Sequence, residues 1–424
     1  MRTLYSLLLY LLMPLVLLYL FLRGLRSRGY LARWSERFGR FDPPGRKSGI
    51  WIHAVSMGEV NAASVLIKAL IERYPDRPLY ITTFTPTGSE RVRELFGDTV
   101  FHVYSPLDLP GAVGRFFDRL QPGLAIIMET EIWPNLYHEA KKRGIPLLIA
   151  NARISDNSFA HYRRFGKLTA LTLAMVTRIA AQSEKDAGRL RDIGAPPERL
   201  AVTGNLKFDV KLPPSLLEQG DSIRLAWGPN RLVLVAGSTH EVEEGIVLRA
   251  FLEILGDYPD ALLVLVPRHP VRFGRAAQAA RTAGLRVSLR SEGGVCPPET
   301  QCFLIDAMGE LQRYFAACDV AFVGGSLERV GGHNVLEPAA LAKPVVVGPH
   351  TFNFADITQQ LVEAGAAVQL ADEKGFEAAV RQLFEEPETR DRMGQAGREL
   401  FLSGQGAVVR TLEIIDSLLT AEAG

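Results

Sequence analysis

Residues Thr3 to Leu22 read TLYSLLLYLLMPLVLLYLFL, twenty positions without a charge. A helix rises about 1.5 Å per residue, so this run can cross a hydrocarbon core of about 30 Å. It leaves no polar face of the kind a helix on a soluble core would keep. Only Arg2 precedes it and no Ala-x-Ala site closes it, so it lacks the pattern of a cleavable signal peptide. Pro14 would break a soluble helix, but such kinks are tolerated in membranes. Arg23, Arg26, Arg28, Arg33, Arg37 and Arg40 follow. A basic excess on that side places everything after the run in the cytoplasm. The expectation is a single span over residues 1–24 and soluble domains working at the inner face of a membrane.

The remaining 400 or so residues exceed what one hydrophobic core usually serves, so two domains are expected. Net charge is +1, which argues against nucleic acid as a partner, since that would call for a broad basic field. The basic residues are local, at 23–40, where they can meet anionic head groups. Cys296, Cys302 and Cys318 show no CxxC spacing and suit a reducing compartment. The eight histidines form no HxxxH or HExxH pair, so neither a protein-built metal centre nor any cofactor is expected.

Short apolar runs alternate with amphipathic helical stretches along the rest of the chain. Strand candidates in the first half are Ile50–Ala54, Leu79–Thr83, Val100–Val103, Leu124–Met128, Pro146–Asn151, Ile179–Ala181 and Leu200–Val202. Helical patterns Glu59–Arg73 and Gly88–Phe96 lie between them. The second half repeats the rhythm with Leu232–Ala236, Ala261–Val266, Gln301–Leu304, Val320–Val323, Pro344–Val347 and Ala367–Gln369. Near-continuous apolar strands separated by helices imply parallel sheets covered on both faces. The fold class is therefore α/β with two Rossmann-like domains, over 25–210 and 211–424. Asp209–Trp227, with Pro213, Pro214 and Gly220, reads as the linker.

Ligands of open α/β sheets bind beyond the carboxyl ends of the strands. The loops there are HAVSMGE, TTFTPTGS, METEIWPN and NARIS in the first half, and AGSTHE, VPRHP and GPHTFNF in the second. The strongest signal is GGSLERVGGHNVLEP, from Gly324, which leaves a strand, holds four glycines and is expected to enter a helix near His333. Its glycines allow close approach of a ligand, and the helix start offers N–H groups to a phosphate. Glu337 on the first turn can accept hydrogen bonds from a ribose diol. The motif is neither GxGxxG nor Walker A. Arg268, behind Pro267, is placed for a phosphate or carboxylate, or else for a surface salt bridge. Met308, Gly309 and Glu310 free backbone groups at another strand end. Ser238, Thr239 and His240 suit a ligand or a helix cap. Glu59 reads either as a dipole-stabilised helix start or as a general base facing an interdomain cleft. Glu129 and Glu131 flank Thr130 on one loop, and Lys207 near the linker is either a solvated charge or a group that neutralises a leaving phosphate.

Taken in order behind an apolar N-terminus, HAVSMGE, TTFTPTGSE, METEIWPN, NARIS, GNLKFD, AGSTHE, VPRHP, MGEL, GGHNVLEPAA and GPHTFNF resemble the 3-deoxy-D-manno-octulosonic acid (Kdo) transferases of lipopolysaccharide biosynthesis. The similarity runs over nearly the whole chain. It implies a GT-B glycosyltransferase fold, CMP-Kdo as donor, a lipid A precursor (tetraacyl disaccharide bisphosphate) as acceptor and inversion at the anomeric carbon. It also implies acceptor binding by the first domain, donor binding by the second, and an enzyme of the inner membrane. By this resemblance Glu59 falls on the general base, and Glu129 and Lys207 fall on residues that stabilise the transition state. Pro267, Arg268, Met308, Gly309, Glu310, Asn334, Val335, Leu336 and Glu337 fall on CMP-binding positions. Val242 stands where the family usually shows glycine. Other classes are a UDP-sugar lipid glycosyltransferase with the same sheets and glycine loop, a cytoplasmic nucleotide-sugar epimerase of the same fold, and a non-catalytic membrane-tethered nucleotide-sugar binder with the second-domain loops. The epimerase would not need residues 3–22, and the binder would not need Glu59.

Overall fold

The computed structural model describes residues 1–422 apart from 211, 294 and 295, and leaves the side chains of Arg26, Ala421 and Glu422 undescribed. Two compact units emerge, Met1–Val210 with Gly404–Gly424, and Lys211–Ser403. The expected second domain ran to residue 424, but the last 21 residues join the first unit. The cause is burial: Ala407, Val408, Ile415, Leu418 and Leu419 pack into the core that Ile50, Val60 and Leu66 begin. Lys211, at the expected boundary, lies outside the described residues.

The first unit carries β1 (Ile50–His53), β2 (Leu79–Thr83), β3 (Phe101–Tyr104), β4 (Leu124–Met128), β5 (Leu147–Ala152), β6 (Arg178–Ala181) and β7 (Leu200–Val202). They form one sheet in the order β3-β2-β1-β4-β5-β6-β7, and every pairing is parallel. Successive side chains of a strand point to opposite faces. Ile50 and Ile52 therefore join Leu66 and Leu70 of helix Met57–Arg73 on one face. Trp51 joins Phe116, Phe117 and Tyr137 on the other. Helices cover both faces, which is why these strands read as unbroken apolar runs.

The second unit carries β8 (Val233–Thr239), β9 (Leu262–Pro267), β10 (Val287–Leu289), β11 (Cys302–Leu304), β12 (Val320–Val323), β13 (Val345–Val347) and β14 (Ala367–Gln369). Their order is β10-β11-β9-β8-β12-β13-β14, again parallel throughout. Strand β10 has no counterpart among the expected strands: three half-buried residues at a sheet edge carry too little pattern. The expected linker is also shorter than read, because Leu216–Trp227 is a helix of the second unit. Gly220 does not break it. A Cβ there would stand 2.4 Å from that of Ala316, so the glycine lets two helices touch. The three cysteines are free and buried, and burial pushes the thiols of Cys302 and Cys318 up to about 12.

The apolar N-terminal run forms one helix, Arg2–Arg26, with Pro14 inside it. Among the described residues it alone is long and apolar enough to cross a membrane. It does not stand clear of the first unit, however. Leu9, Met13, Val16 and Leu17 pack on Leu107, Leu109 and Ala112. At its start the Tyr5 hydroxyl donates to Asp108 (3.0 Å), and Ser6 and Arg2 donate to Asn135 Oδ1 (2.9 and 3.1 Å).

Candidate functional site

In each sheet the strand order reverses beside the first strand of its unit, between β1 and β4 and between β8 and β12. A crevice opens at such a switch point beyond the carboxyl ends of the strands. Of the loops singled out in the sequence, four follow these strands and the other four follow their neighbours β2, β5, β9 and β13.

In the first unit, β1 runs into the turn Val55–Ser56 and the helix Met57–Arg73. Ser56 caps that helix and accepts from the Glu59 amide at 3.4 Å. The Glu59 carboxylate reaches back, accepting from the Val55 amide (2.8 Å) and the Ser56 hydroxyl (3.1 Å). The helix start is closed from both sides, with the carboxylate on the amide one residue before the cap, so the structural reading of Glu59 holds. The chemical reading is compatible with it. Burial, reinforced by the charges of Glu129 and Glu131, pushes the Glu59 carboxyl up to about 8. A carboxyl that titrates near neutrality is suited to taking a proton.

Glu129 and Glu131 come from the loop after β4, the neighbour of β1. Glu129 sits at φ +55°, a left-handed conformation that costs a non-glycine residue on the order of 1–3 kcal/mol. Glu131 accepts from the Trp133 indole at 2.8 Å, and burial raises its carboxyl too. Asn151 is also left-handed, at a register shift in β5. Its Oδ1 accepts from the Leu206 amide at 3.0 Å and so fixes the turn Leu206–Asp209. That turn carries Lys207 and packs on the helix that Glu59 opens. Glu59, Glu129 and Glu131 are thus brought together, with Lys207 on an adjoining turn.

In the second unit, the glycine loop leaves β12 and bends back on itself. Gly331 has φ +110°, a conformation strained for any other residue, and a Cβ there would also have to displace the side-chain ends of Phe352 and Asn353, 2.4 and 2.5 Å away. The expected free amides are not all free. The buried Glu243 carboxylate accepts from the amides of Gly325 (2.7 Å), Ser326 (2.9 Å) and Leu327 (2.9 Å), and from that of His240 (3.0 Å). Glu243 was missed because it reads as an ordinary acid in a first helical turn. The signal was its place three residues after His240, the spacing of a capping box, which the structure contains. Val242 beside it is exposed.

The helix after the loop starts at Leu336 instead of near His333, with Val335 at its N-cap, and the Asn334 side chain holds the turn before it by accepting from the Leu336 amide at 3.2 Å. The Asn334 amide also donates to Glu337 at 3.2 Å, and burial holds the Glu337 carboxyl above its usual range. Arg268, just past β9, lies close enough to act electrostatically on Glu337, His333 and His269. No ion pair holds it among the described residues, so it is not the surface salt bridge its position allowed. His240 and His333 stack at 5.3 Å with their Nε2 atoms 3.0 Å apart, and His269 meets His240 edge-on at 5.6 Å. Burial and the neighbouring Arg268 push His333 down to about 3. Among the described residues no group of three acidic, histidine or cysteine side chains is arranged to hold a metal ion. Met308 is exposed and Gly309 left-handed, while the Glu310 carboxylate is engaged by Arg290 (3.2 Å) and Arg313. Glu310 is thus left with its backbone to offer a ligand.

Comparison with known proteins narrows what this chemistry is. Residues 32–210 match the family model described as 3-deoxy-D-manno-octulosonic-acid transferase, and residues 296–400 match that of glycosyl transferases group 1. A 3-deoxy-D-manno-octulosonic acid transferase of Haemophilus influenzae is 43% identical, with 99% of each chain covered. One of Bordetella pertussis is 38% identical over the same shares. Among solved structures, the UDP-GlcNAc 2-epimerase from Neisseria meningitidis bound to UDP-GlcNAc has a TM-score of 0.55. It covers 88% of this chain and 100% of its own at 14% identity, a likeness of fold alone. With full-length identity of this degree and two parallel-sheet units of the GT-B kind, the chain is a glycosyltransferase and belongs to the 3-deoxy-D-manno-octulosonic acid transferase family.

Proposed function

We propose that this enzyme transfers Kdo from CMP-Kdo to a lipid A precursor, with inversion at the anomeric carbon, at the cytoplasmic face of the inner membrane. The observation that carries the reading is Glu59, buried at a helix start with its carboxyl pushed up to about 8 beside Glu129 and Glu131. A single poised base without a protein nucleophile fits direct attack by an acceptor hydroxyl. In this reading Glu59 takes the proton of the attacking hydroxyl, and Glu129 and Lys207 stabilise the transition state. The second unit binds the donor through Pro267, Arg268, Met308, Gly309, Glu310 and Asn334 to Glu337. Arg268 and the histidines around it suit a ligand carrying both a phosphate and a carboxylate. The apolar helix, with Arg23 and Arg28 at its end, keeps the enzyme where a lipid acceptor is found.

The test is incubation of the purified protein with CMP-Kdo and the tetraacyl disaccharide bisphosphate, with the products weighed. A product heavier by one or more Kdo units is expected. Transfer from a UDP-sugar but not from CMP-Kdo would sink the assignment.

A further inference from the structure

Packed and exposed positions alternate along the N-terminal helix with a helical period. Arg2, Tyr5, Ser6, Leu9, Met13, Val16, Leu17, Leu20 and Gly24 are covered or half covered, at steps of one, three or four residues. The contact is continuous. Tyr5 and Ser6 are hydrogen-bonded to Asp108 and Asn135, the middle packs on Leu107, Leu109 and Ala112, and Leu20 is 2% exposed. At the far end a Cβ on Gly24 would stand 2.5 Å from Leu31. The opposite face carries a row at heptad spacing, Leu4, Leu11, Leu18 and Leu25, which are 66, 75, 52 and 65% exposed.

A helix of 25 residues is about 37 Å long. If it stood across a bilayer, the loop Ser105–Leu109 packed on its middle would lie at hydrocarbon depth. That loop is buried between the helix and the rest of the unit, so the unit itself would have to enter the bilayer. It would carry in exposed charges such as Lys141 and Lys142 of helix Pro134–Lys142, which touches the N-terminal helix, and charges at that depth are costly. A helix lying in the interfacial plane avoids the conflict, with its protein-bound side turned inward and its leucine row in the acyl boundary. The partner this surface fits is an anionic lipid surface. Arg23 and Arg28 are exposed at its end. Helix Pro134–Lys142 touches it and also packs on Gly166–Leu173, where Arg163, Arg164 and Lys167 stand exposed beside Phe165.

We propose that the N-terminal helix does not cross the bilayer but lies along one leaflet as a fixed part of the first unit. This rests on the membrane reading above and changes its geometry: the enzyme is monotopic. The fastening is also local to the chemistry, because Asn135 closes the loop that carries Glu129 and Glu131.

The experiment uses the full chain in phosphatidylcholine–phosphatidylglycerol vesicles, with a fluorophore on a single cysteine introduced as Leu4→Cys, Leu11→Cys, Leu18→Cys or Leu25→Cys. These positions are exposed, so each variant should fold, and the three native cysteines are buried. Quenching by lipids with nitroxides at the head group or near the chain end measures depth. The in-plane helix gives four equal depths to within a few Å, about 5–10 Å into the interface. A spanning helix gives steps of about 10 Å, with positions 11 and 18 deepest, and that result overturns the proposal while leaving membrane attachment intact. No quenching at any position overturns membrane attachment itself.

Discussion

Glu59 performs two tasks with one carboxylate, and substitution can separate them. Glutamine at this position still accepts from the Val55 amide and keeps the helix start closed, so Glu59→Gln should fold normally. It cannot take a proton. Transfer should fall by about 10² to 10⁴ while CMP affinity by calorimetry stays nearly unchanged, and wild-type turnover would remove Glu59 from the mechanism. The raised carboxyl also fixes a pH dependence. The reactive form is the carboxylate, so kcat/KM should climb as pH rises through about 8. Removing a neighbouring negative charge by Glu129→Gln lowers the Glu59 pKa, and the climbing limb should move to lower pH. The stability linkage has the opposite sense. Folding favours the protonated form, so this group's contribution is full below the ordinary value of 4.5 and is lost as pH rises through about 8. In the second unit, Glu337→Ala removes the acceptor assigned to the ribose. A hydrogen bond to a charged group contributes about 1.5–3 kcal/mol, so the CMP dissociation constant should rise roughly ten- to a hundredfold. Unchanged affinity in a folded variant would reverse the assignment of donor and acceptor units.

At the scale of elements, the glycine loop is held less by its glycines than by the helix beside it. Glu243→Ala would leave four amides, of His240, Gly325, Ser326 and Leu327, without their acceptor. A buried donor left unsatisfied costs about 1–3 kcal/mol, so the second unit should lose about 3 kcal/mol or more, read by calorimetry as a lowered melting transition. An unshifted transition would mean the loop holds itself. The element also marks how far the sequence could be read. Strands such as Leu124–Met128 and Val320–Val323 were legible because burial on both faces writes an uninterrupted apolar run. Strand β10 was not, having only Val287, Ser288 and Leu289 half buried at an edge. Gly220 misled because the same residue type breaks helices and lets them touch. The candidate residues themselves were legible from their place after strands. Which amides of the glycine loop remain open was not, since that depends on Glu243, 82 positions before Gly325.

On the whole molecule, the apolar N-terminus contributes more than a location. Deleting residues 1–22 would uncover Leu107, Leu109 and Ala112 and take away the hydrogen bonds that Tyr5, Ser6 and Arg2 give to Asp108 and Asn135. A simple tether could be cut to leave a well-behaved soluble enzyme. Here the truncated chain should elute from size exclusion as aggregate unless detergent is present, and a monodisperse, fully stable product would contradict the packing described. The return of the last residues to the first unit has a consequence at the ribosome. Residues 211–403 are contiguous and can complete their own sheet while still near the exit tunnel. The N-terminal unit, made earlier, waits. Its core lacks Ile415, Leu418 and Leu419, and its Arg73 lacks Asp416, until the final 21 residues emerge about one to four seconds later. The part of the chain translated first is therefore the part finished last, and during that interval the apolar side of helix Met57–Arg73 that the last helix covers is the surface a chaperone would meet.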